Sequence, residues 1–240
     1  MQKYIYILLI LSTNFLFAQQ SGVVEYGFYY EKFHGKPKSK INERSRKMAD
    51  MTAEYAKNHK YILKFNPNES IYYVEESIPL DDVNEFAYRF SKSIFSKGTY
   101  YQNKLKRESL QQLVTMNKLY LVKDSMPNDW KIMSEHKYIG KYKCYKAVSS
   151  CNTCNKNQII TAWFTPDIPL PFGPAGYGGT PGLILEVQRY RYTLRLKKIR
   201  LSNEIITIER PLKGTLTTAR ELKALQWSKR MELIQKRRKH

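Results

Sequence analysis

Hydrophobic and polar positions alternate most cleanly over residues 23–31. Val24, Tyr26, Phe28 and Tyr30 fall on one side, and Glu25, Gly27, Tyr29 and Glu31 on the other. A period of two is that of a half-buried strand, so the pattern predicts an opening β-strand. After a polar segment with Gly35 and Pro37, Met48, Met51, Ala53, Tyr55 and Ala56 fit a helix over Ile41–Asn58. Strand-like runs follow at Tyr61–Asn66, Ile71–Glu75, Thr99–Lys104, Lys118–Val122, Lys131–Ser134 and Tyr138–Val148. Turn signals at Asn66-Pro67-Asn68, Lys97-Gly98 and Pro127-Asn128-Asp129 separate several of them. Short strands joined by short turns imply antiparallel pairing.

Further strands are expected at Ile159–Thr165 and from Leu183 onward. In the latter, Tyr190, Tyr192, Leu194 and Leu196 alternate with Arg189, Arg191, Arg195 and Lys197. Read as one strand, the charged row covers roughly 26 Å and forms a basic surface stripe. The chain closes in a helix, where Thr218 and Glu221 match a capping box and Leu222, Leu225, Trp227, Met231 and Ile234 are the packing candidates. The expected fold is mostly β (α+β): an antiparallel, curved sheet with one helix in the N-terminal half and one at the C-terminus.

Composition agrees with that class and adds a compartment. Nineteen Tyr and ten Phe among 240 residues favour a pleated, half-buried surface. Lys3, the apolar run Tyr4–Leu11 and Phe15-Leu16-Phe17-Ala18 read as a secretory signal peptide over residues 1–18. One domain over 19–235 and a basic tail over 236–240 complete the division. Removing Lys3 lowers the formal charge from +20 to +19. Anionic lipid headgroups or acidic glycans then become the accessible polyanions, and nucleic acid is disfavoured by secretion and by the lack of any nucleic-acid motif. No later stretch reaches transmembrane length.

Two local features stand out. Five of the eleven Gly lie within Gly173–Gly182, and five of the ten Pro lie between Pro166 and Pro181. Such a loop combines extended proline geometry with glycines that permit close backbone approach. Cys144, Cys151 and Cys154 form the other feature, with Cys151-Asn152-Thr153-Cys154 as a C-x-x-C. A structural disulfide is the plainest reading in an oxidising compartment, although three cysteines do not fix the pair. A thiol-redox pair, or a zinc site completed by His136, is the alternative. Signatures of hydrolases, zinc proteases and phosphate-binding loops are absent, which favours a nonenzymatic protein.

Trp130, Ile139-Gly140, Tyr142-Lys143-Cys144-Tyr145-Lys146-Ala147, Ala162-Trp163-Phe164-Thr165, Ile168-Pro169, Gly173-Pro174 and Gly179-Thr180-Pro181-Gly182-Leu183-Ile184 occur in that order. This order resembles the GLPGLI family of secreted Gram-negative envelope proteins, with Thr180 in place of the name motif's Leu. The resemblance makes Gly173, Pro174, Gly179, Pro181 and Gly182 the family-motif loop. It implies a β-rich fold like the open half-barrels of periplasmic lipoprotein carriers and an accessory role beside TonB-dependent-receptor-like outer-membrane proteins. No cofactor and no established activity follow from it. The combined expectation is a nonenzymatic periplasmic or secreted protein that binds an outer-membrane partner or an apolar ligand.

Overall fold

The computed structural model describes residues 20–32, 40–75, 83–126, 129–151 and 158–238. The signal-peptide expectation and Cys154 lie outside them. The elements are β1 (Ser21–Tyr30), α1 (Lys40–Lys57), β2 (Lys60–Phe65), β3 (Glu69–Glu75), α2 (Glu85–Lys92), β4 (Thr99–Asn103), β5 (Glu108–Thr115) and β6 (Lys118–Ser125). They continue with β7 (Lys131–Ile139), β8 (Tyr142–Cys151), β9 (Gln158–Thr165), β10 (Leu183–Arg189), β11 (Tyr192–Ser202), β12 (Thr215–Thr218) and α3 (Ala219–Arg238).

All twelve strands form one open sheet in the order β12-β6-β5-β4-β3-β2-β1-β11-β10-β9-β8-β7. Every pairing is antiparallel except β12 with β6. The fold is therefore two meanders, β1–β6 and β7–β11, joined where β1 pairs β11. Connectivity alone forces curvature. In a flat sheet β6 and β7, ten places apart, would be separated by ~48 Å. The chain from Ser125 to Lys131 can span only ~22 Å. The sheet curls accordingly, and irregular register in β7, in β10 and between β1 and β11 gives the local bends that curling needs.

The opening alternation holds: Val24, Tyr26 and Phe28 are buried on the concave side. Tyr61, Leu63, Phe65, Tyr72, Ala162, Phe164, Val187 and Leu194 continue that core. On the convex side, residues 203–214 lie as an irregular strap over a second cluster of Tyr101, Leu110, Leu121 and Ile208. Asn66 Nδ2 donates to Ile206 O at 3.0 Å, and Arg210 donates to the Glu108 carboxylate at 3.1 and 3.2 Å. These bonds hold the strap where it has no ladder of its own. A third cluster, Leu113, Tyr120 and Val122, receives Leu222 from α3 on the opposite face of β5–β6.

Several expected boundaries move. The run from Leu183 is two strands, because the chain turns at Tyr190 and Arg191, with Tyr190 at φ 57°. Likewise β7 extends to Ile139, and the chain reverses at Gly140, φ 59°, before β8. In α3 only Leu222 of the five packing candidates is buried; Leu225, Trp227, Met231 and Ile234 are exposed. The capping box does form: Thr218 N donates to Glu221 Oε2 at 2.9 Å, and Glu221 N to Thr218 Oγ1 at 3.2 Å.

Candidate functional site

The glycine–proline loop is a packing element of the concave side. Ile168, Leu170, Phe172 and Pro174 are buried, and the short 3-10 turn Pro174–Gly176 touches β2, β3 and β4 across the sheet from its own strands. It is pinned from several elements. Tyr26 Oη donates to Ile184 O at 2.7 Å, Gln102 Nε2 to Gly176 O at 2.9 Å, and Trp130 Nε1 to Gly178 O at 2.7 Å. Within the loop, Gly179 N donates to Pro171 O and Ile184 N to Phe172 O, both at 2.9 Å. Thr180, the departure from the name motif, is buried and donates to Gly182 O at 2.7 Å, so its hydroxyl closes the loop.

Glycine is required here by contact as well as by conformation. A Cβ on Gly182 would lie 2.0 Å from Thr165 O, and one on Gly178 would lie 2.7 Å from Pro171 O. Gly176 at φ 78° and Gly179 at φ 81° use the left-handed region. Burial of the loop places tyrosines around it, and desolvation raises the Tyr26 and Tyr72 hydroxyls well above their ordinary range and Tyr100 to about 12. These phenols stay neutral and serve as packing surface: Tyr26 donates to Ile184 O, Tyr100 accepts from Gln111 Nε2 at 2.9 Å, and the buried Tyr72 hydroxyl has no hydrogen-bond partner among the described residues.

The basic stripe does not exist as a continuous row. Because β10 ends at Arg189, the four side chains are split between a turn and two faces. Arg189 donates to Ile94 O and stacks on Phe95, and Arg191 is buried against Asp50 and the Tyr30 ring. Arg195 pairs with Glu186, and Lys197 with Glu25 at 2.8 Å. Each cation therefore has a local partner, a carbonyl and a ring for Arg189 and a carboxylate for each of the other three. Glu186 also accepts from Lys137 at 2.8 Å, and that ammonium lies 4.3 Å from the Trp163 ring centroid. The resulting convex-face cluster ties β7, β9, β10 and β11 together.

Cys144 lies on the same convex face as Lys137, its partner in the β7–β8 ladder, whereas His136 pairs with Tyr145 on the other face. The two proposed zinc ligands thus diverge. Cys144 and Cys151 are seven residues apart on one strand, or ~23 Å at strand rise. A disulfide needs Cα atoms within ~7 Å, so this pair cannot be bridged. Cys144 is free and buried, and burial raises its thiol pKa to about 12. Among the described residues no cluster of His, Cys, Asp or Glu could hold a metal.

Sequence reasoning did not single out His59 and Ser91, whose Nε2 and Oγ stand 2.7 Å apart. Ser91 Oγ donates its one proton to Tyr88 O at 2.6 Å, so the imidazole must donate to the hydroxyl. That polarity is opposite to what an activated serine needs. The buried pair clamps α2 against the end of α1. Beyond it, Phe86 and Phe90, with ring centroids 4.5 Å apart and planes tilted by 40°, border an open groove of about 530 Å³ with Met48 and Ile94. A smaller cleft of about 270 Å³ lies between Tyr100, Asp124, Tyr177 and the start of α3, and another of about 730 Å³ opens between α3 and Met116.

The architecture is that of a mostly β, open and strongly curved sheet whose concave side is filled from within. Residues 150–186, which contain β9 and the glycine–proline loop, match the family model described as a protein of unknown function (Porph_ging). The match carries that description and not the GLPGLI name. No curated protein matches the chain. In fold it is similar to PNGF-II in two crystal forms, C2 and P21, with TM-scores of 0.55 and 0.54 and 18% identity in each. Both alignments cover 87% of this chain and 33% of the PNGF-II chain, so the chain spans about a third of that protein's length. At this identity the likeness is one of fold alone. Among the described residues no helix is long and apolar enough to cross a membrane.

Proposed function

We propose that this protein is a nonenzymatic, extracytoplasmic binding module that engages a protein partner of the cell envelope through its outer surface. The observation that carries the reading is the filled interior. An open half-barrel that carries an apolar ligand needs an empty concave side, and here the loop's 3-10 turn touches β2, β3 and β4 there, with Phe172 fully buried in one cluster with Tyr26 and Tyr72. The glycine–proline motif therefore serves as an internal plug of the curved sheet. Engagement is left to the surface, where Phe86, Phe90, Trp227 and Leu233 are exposed. The compartment follows from the signal-like segment at residues 1–18.

Native mass spectrometry of the purified chain, together with cross-linking in intact envelopes of the source cells, tests this reading. The expected result is a protein free of small-molecule adducts and a saturable cross-link to an envelope protein. Stoichiometric co-purification of a lipid or other apolar molecule would overturn it.

A further inference from the structure

We propose that the solvent-facing side of α3 docks an amphipathic helix with acidic flanks on the partner protein; this rests on the reading of the chain as a binding module. The body holds α3 from one side only. Leu222 is buried with Leu113, Tyr120 and Val122, and Gln226 Nε2 donates to Thr115 Oγ1 at 3.3 Å. At ~3.6 residues per turn, Leu222, Gln226 and Leu233 share that side. The far side carries Ala224, Trp227 and Met231, with Ile234 at its edge. Their spacing of three, four and three residues is that of a coiled-coil seam. Trp227 is 62% exposed, and Met231 and Ile234 are exposed beside it. The seam runs ~15 Å along the helix, enough for three turns of a partner helix.

Charge selects the occupant. Lys223 and Arg230 stand one heptad apart along one flank of the seam, and Arg220 lies at its N-terminal end. The other flank carries Ser228 and Gln235, with Glu221 and Glu232 beyond them. A second copy of α3 packed antiparallel would set the cationic rows against each other, and packed parallel would set them against neutral residues. Neither arrangement attracts. An anionic membrane surface calls for cations on both sides of the apolar stripe, whereas here one side is the neutral pair Ser228 and Gln235, with Glu232 beyond it matched to Lys236 at 2.8 Å. A helix with Glu or Asp one heptad apart on its flank satisfies Lys223 and Arg230 and covers Trp227 and Met231.

The test uses the purified chain and two labelled synthetic amphipathic peptides that share a Leu seam and differ in having Glu or Lys flanks, read by fluorescence anisotropy. The Glu-flanked peptide is expected to bind at least about tenfold more tightly than the Lys-flanked one, a difference that shrinks with salt. Trp227→Ala with Met231→Ala should abolish binding. Lys223→Glu with Arg230→Glu should invert the preference, a result that an unfolded variant could not give. Equal binding of the two peptides, failure of the inversion, self-association through Trp227, or displacement of the peptide by phosphatidylglycerol vesicles would each overturn the proposal. Envelope cross-linking separates the two readings. If the Trp227→Ala/Met231→Ala variant still captures the wild-type partner, α3 is not the docking face and the binding-module reading stands. If the wild-type chain captures nothing, both fall.

Discussion

Replacing Gly182 by Ala should destabilise the fold more than any other single methylene added to the loop. The new Cβ would sit 2.0 Å from Thr165 O and 2.6 Å from Thr165 C, where ordinary contact begins near 3.4 Å. Relief requires backbone to move by more than 1 Å, because both struck atoms are main chain and Thr165 pairs directly with Leu183. That movement strains the hydrogen bonds Leu183 N to Ile168 O and Ile184 N to Phe172 O, each 2.9 Å long. Overpacking costs about 1–3 kcal/mol and each lost bond about 1 kcal/mol, so the sum is about 3–5 kcal/mol. Against a typical stability of about 5–15 kcal/mol this is a large fraction. With a urea slope of about 3 kcal/mol per molar, the denaturation midpoint should fall by about 1–1.7 M. Gly140→Ala is the internal comparison. That Cβ meets nothing within 4 Å, and only the left-handed φ of 59° is strained, costing about 1 kcal/mol. A Gly182→Ala midpoint within about 0.2 M of wild type, or equal falls for the two variants, would refute the steric argument.

Two further outcomes follow from the electrostatics. Arg210 holds the Glu108 carboxyl below its usual pKa, so this pair stabilises the protein above the unfolded value of ~4.3, and the contribution is lost as pH falls through the lowered folded value. Arg210→Ala should therefore cost about 1 kcal/mol at pH 7, measured by urea titration, with little cost once Glu108 is protonated in both states. Cys144, with its thiol raised to about 12, should resist iodoacetamide at pH 8 in the native protein and react in urea. Because the unfolded thiol ionises near ~8.5, this group's contribution to stability falls as pH rises above that value. A non-reducing peptide map should show no bridge from Cys144 to Cys151, and finding one would contradict the single-strand geometry of β8.

The most legible strand, β1, has only one face in a core. In β1 the alternation of Val24, Tyr26 and Phe28 with Glu25 and Gly27 survives intact because its convex side is polar. The sequence of β5 hides its strand, since Leu110 packs under the strap and Leu113 under α3, and burial on both faces erases the period. Asn84 was the available signal for α2: its side chain accepts from Ala87 N at 2.9 Å as an N-cap. The run across Tyr190 and Arg191 alternates in sequence yet contains a two-residue turn that shifts the period by one, so Arg189 shares a face with Tyr192 while Arg195 lies on the other with Glu186. That reversal is why four cations in a row become four separately paired ones.

Local chemistry in the chain determined the strand-rich class, the terminal helix with its Thr218–Glu221 cap, and the presence of an exceptional glycine–proline segment. These depend on near neighbours, which sequence encodes directly. Where that segment goes depends on Tyr26, Gln102 and Trp130, which reach it from distant strands, and on a short β6–β7 link that makes the sheet curl around it. The exposed seam of α3 is likewise a tertiary result. Its Trp, Met and Ile look like core residues in the sequence, and only the distance of the helix from the sheet leaves them in water.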